Sequence, residues 1–368
     1  MGNAADAVFD HEREEKMHLL KQEWKKLVTR DGFLAVFLLC FAVTLLILWN
    51  RVYRISYGDS FLPSQYCRVA DRVQNMTETE AEKYFSEEQQ EYDPVRSVIQ
   101  KEWRSAHNYE NYLDKIRSGG SGGLRGLGKN VYQERLQKKL QTKYREMDPA
   151  EVSFAGGRGV SLFCHTDVAD MMAVLMMLLI IFRLVVWEAE SGMDGINMAA
   201  RNGAAWLTRI KWAVGLMASA AVLLLVQLYK LRLYTSAYGF TGWNRVIQVL
   251  PEFVGVDRRI TVYWFVCVFL VCKTAGFLLL YTIFFWLACV GRSAVRTVIL
   301  YGLFTGVSLF TAYGISLSGY LAVLRYFSLA QCINQEMLLS GYHALKLFQY
   351  PVSYLGLWTA VSCVIFFV

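Results

Sequence analysis

The stretch FLAVFLLCFAVTLLILW, residues Phe33 to Trp49, contains no charged residue, no glycine and no proline. An apolar run of about 17 to 25 residues is long enough to cross the hydrocarbon core of a bilayer as an α-helix. The polar segment 1–32 precedes it, and no small-residue cleavage site follows before Arg51, which argues against a cleaved signal peptide. We therefore expect a first transmembrane helix at 33–50 that stays on the mature chain.

The composition extends this prediction to the whole chain. Hydrophobic residues make up 55% of the 368 residues and charged residues only 19%, whereas soluble domains contain about 25% charged residues. Further apolar runs of membrane-spanning length lie at 167–187, 212–229, 260–290, 298–324 and 351–368. The sequence thus predicts an all-α polytopic membrane protein with six transmembrane helices, the last four of which lie with their external loops in 212–368.

The segment 1–32 predicts an amphipathic helix on the membrane surface. In MHLLKQEWKKLVTR, Met17, Leu20, Trp24 and Leu27 recur at helical spacing, and lysines occupy the other face. Such a helix suits the headgroup region, where tryptophan is favoured and basic residues meet anionic lipids. A solvated helix packed on a partner is the alternative interpretation of the pattern.

The polar segment 51–166 predicts a mainly helical domain between the first two spans. Thr77 and Glu80 have the spacing of a capping box, and Asp93-Pro94 has the order of a helix cap followed by proline at the first helical position. The end of the segment, FAGGRGVSLFCH, has a strand-like pattern.

Lysine and arginine near the span ends predict the orientation. Their small bias favours an amino terminus on the cytoplasmic side of the cell membrane, which places the domain 51–166 outside. Cys67 and Cys164 bracket this domain and could form a disulfide in an oxidising space. Two free thiols are the alternative, because a sequence does not show the distance between them.

The sequence offers little for catalysis. GLRGLGKN, residues 123–130, has the G-x-x-x-x-G-K spacing of a phosphate-binding loop, but Asn130 stands where magnesium needs a Ser or Thr, and the helix-like NYLDKIRS replaces the required strand. A flexible linker is the better interpretation.

The five histidines lack metal-ligand spacing, so we expect neither a catalytic nor a metal site. The net charge of +7 is spread over several segments, which does not favour nucleic-acid binding.

Two charged residues inside predicted spans are candidates for function. Lys273 and Asp170 interrupt apolar runs, and a charge at mid-helix costs about 2.5 to 3.5 kcal/mol on insertion scales. We expect them to line a translocation path or to pair with each other. Snorkelling of the lysine to an interface is the alternative.

The polar stretch WEAESGMDGINMAARNGAAWLTRIKW, residues 187–212, is longer than a helix hairpin requires. About 2 to 8 residues suffice to connect antiparallel helices. We therefore expect the segment 188–211 to be cytoplasmic and to do more than connect two spans. A solvated connection without a partner is the alternative.

The order of these elements resembles the permease subunit of an ABC-2 type transporter, as do the acidic start of the loop and YGFTGWNRVIQVLPEF before the fourth span. The resemblance implies that 188–211 holds a coupling helix that docks on a separate ATPase subunit. It implies coupling roles for Glu188, Glu190, Gly192, Arg201, Trp206 and Arg209. It further implies a second permease subunit, in a homodimer or heterodimer, and no cofactor on this chain, since ATP and magnesium belong to the ATPase.

The function implied by this resemblance is ATP-driven export of a peptide or another amphipathic molecule. A membrane-anchored receptor or assembly protein, whose external domain binds a ligand without transport, is the alternative. Copurification of a nucleotide-binding subunit would separate the two hypotheses.

Overall fold

The computed structural model describes residues 17–29, 32–54, 60–86, 93–117, 131–192, 203–240, 242–310, 329–341, 343–347 and 350–367. These residues are mainly helical. The helices are α1 (17–29), α2 (Phe33–Tyr53), α3 (Pro63–Gln74), α4 (Glu78–Ser86), α5 (Pro94–His107), α6 (Tyr109–Arg117), α7 (Val131–Tyr144), α8 (Arg158–Cys164), α9 (Val168–Ile181), α10 (Trp187–Glu190), α11 (Gly203–Tyr238), α12 (Val262–Gly291), α13 (Ala294–Leu309), α14 (Leu329–Ile333), α15 (Glu336–Leu339) and α16 (Tyr354–Phe367). A π-helical stretch, Phe182–Val186, joins α9 to α10, and short 3₁₀ helices lie at Pro149–Glu151, Ile247–Val249 and Pro251–Phe253.

Four helical stretches are long and apolar enough to cross a membrane. They are Phe33–Tyr53, Arg158–Glu190, Ala205–Tyr238 and Val262–Gly291. Exposed apolar side chains on these helices are consistent with contact to lipid: Leu39 of α2 is 64% exposed and Val271 of α12 is 69% exposed. The helices indicate a membrane protein, as the composition predicted.

The last two predicted spans are only partly described. The fifth coincides at its start with α13, an apolar helix of 16 residues, and its remainder, 311–328, lies outside the described residues. The sixth contains α16, which has 14 residues. Neither helix has the length of a full crossing within the described residues, so six spans stay a prediction.

A small two-stranded sheet, which the sequence did not predict, accompanies the helices. Strands β1 (Ala344–Leu347) and β2 (Tyr350–Ser353) pair in antiparallel register, and β2 occupies the start of the predicted sixth span. The backbone groups of Pro351–Ser353 therefore belong to a sheet pairing that depends on a neighbouring segment. A window of apolar residues does not show such a pairing.

The chain divides into two compact units. Unit 1 comprises Met1–Leu46, Val168–Val226 and Phe277–Phe310, and unit 2 comprises Ile47–Asp167, Gln227–Gly276 and Thr311–Val368.

Unit 1 is held together by close packing between helices α11 and α12. The hydroxyl of Tyr281 donates to the carbonyl oxygen of Trp212 at 3.1 Å, and the Trp212 indole donates to Thr282 at 3.4 Å. Gly215 makes this approach possible, because a Cβ there would lie 2.1 Å from the Tyr281 hydroxyl oxygen. Small residues serve the same purpose at other membrane helix interfaces.

Unit 2 contains the polar segment, and its helices begin where the cap spacing predicted. The backbone N–H of Thr77 donates to Glu80 at 2.9 Å, and the Asp93 side chain accepts from the N–H of Val95. The predicted strand at the end of this segment is wrong, because the structure has α8 there. Most α8 side chains are buried, and a short run buried on several sides has no periodicity that separates helix from strand.

Candidate functional site

Four charged side chains of unit 1 form what we name the charge cluster: Glu23, Lys26, Glu188 and Lys211. Glu188 stands at its centre and is 6% exposed. It accepts hydrogen bonds from the Lys211 ammonium at 2.5 Å and from the Lys26 ammonium at 3.3 Å. Lys26 also donates to Glu23 at 2.6 Å.

The charge cluster joins elements that are far apart in the chain. Glu23 and Lys26 lie on α1, Glu188 lies on α10 at the start of the predicted coupling segment, and Lys211 lies on α11 after it. Two carboxylates and two ammonium groups balance in charge, which is the condition under which buried ions are tolerated. The cluster therefore joins the two ends of the 188–211 segment to each other, and Glu188 links them to the amino-terminal helix.

The pKa of Lys26 reflects this environment. Partial burial opposes the charged form, but the hydrogen bond and charge of Glu23 and the charge of Glu188 outweigh burial and raise the pKa above 10.5. Lys26 is therefore positively charged at any physiological pH.

Two further predicted residues shape the start of the segment. Gly192 has a φ of +73°, a left-handed conformation that lets it end α10, and its N–H donates to the carbonyl oxygen of Ala189. The Glu190 carboxylate accepts the N–H of Ala294 at 2.7 Å. An acidic group suits this place because Ala294 begins α13 and carries an N–H without a helical acceptor.

The remaining predicted coupling residues, Trp206, Arg209 and Arg201, differ in exposure and in whether the structure describes them. Trp206 is partly buried and Arg209 is exposed, both near the start of α11, which begins at Gly203. Arg201 lies outside the described residues. The end of the predicted loop is therefore helical and presents at least one basic side chain to the surroundings.

Lys273 and Asp170 are both buried, with exposures of 3% and 1%. The Lys273 ammonium lies 5.5 Å from the centre of the Phe269 ring, within cation–π range. Lys273 belongs to unit 2 and Asp170 to unit 1, so their pairing and their place in a translocation path stay predictions.

Sequence reasoning missed a buried ion pair in unit 2. Lys230 is fully buried; its ammonium lies 3.1 Å from an Asp167 carboxylate oxygen and donates to the carbonyl oxygen of His165 at 2.6 Å. His165 in turn bonds the Glu336 carboxylate. The sequence contained little indication of this pair, because Lys230 and Asp167 each lie at the end of a predicted span, where charged residues are common.

The predicted disulfide between Cys67 and Cys164 is not formed, and both residues are free thiols. Cys67 is partly buried on α3, and its thiol donates to the carbonyl oxygen of Ala237 at 3.6 Å. Cys164 is buried at the end of α8. Their nearness to the two ends of the polar segment did not bring the sulfur atoms to bonding distance.

The charge cluster is thus the feature of the described residues that best combines burial, opposed charge and a position at the predicted coupling segment. Comparisons of the chain with models of protein families, with curated proteins and with solved structures found no match.

Proposed function

We propose that this chain is the permease subunit of an ATP-driven exporter of the ABC-2 type, coupled through the 188–211 segment to a separate ATPase subunit. The observation that supports this proposal most is the charge cluster. A segment that merely connects two helices does not need its two ends joined by a buried ion pair, as Glu188 and Lys211 are here.

The cluster provides a physical route for coupling within unit 1. A force applied to the segment by a docked ATPase acts at Glu188, which is bonded to α1 and α11. The same force acts at Glu190, which is bonded to the start of α13. Movement of the segment is therefore passed to several helices rather than absorbed by a flexible loop.

The contacts also support the proposed orientation. Lys26 of α1 touches Glu188, so the amino-terminal helix and the coupling segment lie at the same end of unit 1. Two crossings, one by α2 and one by the helix that ends in α10, would return the chain to the side from which it started. We place that side in the cytoplasm, where ATP is available.

The partner subunits supply what this chain lacks. ATP and magnesium bind to the ATPase, and a second permease subunit, identical or related, completes the path. The substrate in this proposal is a peptide or another amphipathic molecule.

Copurification tests the proposal. A tagged chain, solubilised gently from its native cells, should bring down a nucleotide-binding subunit and show vanadate-sensitive ATP hydrolysis. Absence of both would contradict the exporter and favour a receptor or assembly protein that binds its ligand outside.

A segment replacement tests the coupling role. Exchange of 192–206 for a Gly-Ser linker of equal length should leave membrane insertion intact and abolish copurification of the ATPase. The matched control replaces 118–130, which is already glycine-rich, in the same way and should retain the ATPase. Retention by both variants would contradict coupling through the 188–211 segment.

A further inference from the structure

Three side chains of the types that bind metal ions lie close together on the surface of unit 2. They belong to two different helices, so the spacing of the histidines along the sequence did not indicate the group. Glu78 is the first residue of α4, Glu82 follows one helical turn later, and His107 is the last residue of α5. All three are exposed, and one donor atom from each lies within 4.8 Å of the others. The His107 Nε2 lies 3.0 Å from a Glu78 carboxylate oxygen.

The scaffold around these residues holds them in place. The His107 ring stacks on Trp103, with ring centres 5.2 Å apart and planes 9° from parallel. Trp103 in turn packs on the buried Phe85 of α4 at 5.6 Å. The start of α4 is fixed by two hydrogen bonds that the Glu80 carboxylate accepts, from the N–H and from the hydroxyl of Thr77. The ligands therefore project from two helices that are packed together, not from a free loop.

A simple surface ion pair accounts for only part of this arrangement. A pair between His107 and Glu78 would stabilise the domain by at most about 1 kcal/mol. Glu82 lies four residues from Glu78 on the same helix face, and two like charges at this spacing repel each other by a few tenths of a kcal/mol. A divalent ion between the three groups would remove that repulsion.

A pocket adjoins the cluster. It has a volume of about 310 Å³, and Glu78, Trp103 and His107 line it together with Gln74 and Arg245. An ion held by Glu78 and His107 would thus stand at the edge of a space that can admit water or a ligand. Three protein ligands with one open position are typical of zinc sites that bind or activate a further molecule.

We propose that Glu78, Glu82 and His107 form a zinc site at the mouth of this pocket. The imidazole nitrogen favours zinc over magnesium or calcium, which prefer oxygen ligands throughout. Zinc ligands in tetrahedral geometry lie roughly 3.3 Å apart, and exposed glutamate side chains can close the remaining distance by rotation. The site is independent of the proposed transport function and belongs to the polar domain itself.

Zinc titration of the purified full chain tests the site. The chain is held in detergent after removal of any histidine tag, and calorimetry is followed by cobalt substitution with visible absorption as a second readout. We expect one zinc ion per chain, with binding weakened about tenfold or more by His107→Ala and by Glu82→Gln. Excess calcium should not displace it.

Glu110→Gln is the matched control, because Glu110 is an exposed acidic residue of the same domain that lies outside the cluster. It should bind zinc as the wild type does. Equal affinity in His107→Ala and the wild type would overturn the proposal. So would a loss in His107→Ala with none in Glu82→Gln, because the site requires all three ligands. Unchanged melting temperatures without zinc would show that the variants are folded.

Discussion

At the scale of single residues, the charge cluster makes the sharpest prediction. Lys211→Met should lower the free energy of unfolding by about 3 kcal/mol or more, because it removes the ammonium group that lies closer than Lys26 to the buried Glu188 carboxylate. Thermal melting in detergent measures the change. In the double variant Glu188→Gln with Lys211→Met, the free energy of unfolding should fall by less than the sum of the decreases in the two single variants. Strict additivity would show that the two groups do not interact.

The contribution of Lys26 should depend on pH. Because its pKa is raised in the folded chain, its stabilising effect is fully present below the ordinary lysine pKa of 10.5 and is lost as the pH rises through the raised value. The stability difference between the wild type and Lys26→Met should be small, since Lys26 is partly exposed, and it should vanish at strongly alkaline pH. Lys25→Met, on the exposed face of α1, is the control and should change little.

The thiols provide a second prediction at this scale. Burial and the nearby charge of Asp71 raise the pKa of the Cys67 thiol above 9.0, so the reactive thiolate is scarce at neutral pH. Labelling of Cys67 by maleimide should be slow at neutral pH, should accelerate as the pH rises through the raised value, and should not depend on prior reduction. Mass spectrometry of the Cys67 peptide measures this. Labelling that appears only after reduction would contradict the free thiol and support the disulfide prediction.

At the scale of secondary-structure elements, the close approach of α11 and α12 depends on one glycine. Gly215→Ala would place a Cβ 2.1 Å from the Tyr281 hydroxyl oxygen and 2.8 Å from Leu184. We expect the free energy of unfolding to fall by about 1 to 3 kcal/mol, as it does when extra atoms are forced into other well-packed cores. Gly302→Ala on α13 is the control, since no atom lies within 4 Å of the added Cβ. Equal melting temperatures for both variants would contradict tight packing at Gly215.

At the scale of the whole molecule, the orientation can be tested on intact cells. Trypsin added outside should cleave the polar domain at exposed basic residues such as Lys101 and Arg104, whereas an amino-terminal tag should stay protected until the membrane is permeabilised. The expected pattern follows from the small lysine and arginine bias and from the contact between α1 and the 188–211 segment. A tag digested in sealed cells would reverse the orientation.

Much of the fold could be predicted because it depends on local properties of the chain. A helix such as α2 needs only an uninterrupted apolar run of sufficient length, and the caps at Thr77 and Asp93 need only the correct residue spacing. The strand pairing of β2 with β1 was not predicted, because it depends on a partner segment as well as on the residues themselves.

The sequence by itself therefore determined that this is a largely helical membrane protein. That 188–211 is more than a connection stays a prediction. Only the tertiary structure decided how its charges are paired. Lys26 and Glu188 are separated by 162 positions, and Glu78 and Glu82 meet His107 from another helix. The reason is physical: insertion and helix formation respond to neighbouring residues, whereas the partner of a buried charge is set by the packing of distant segments.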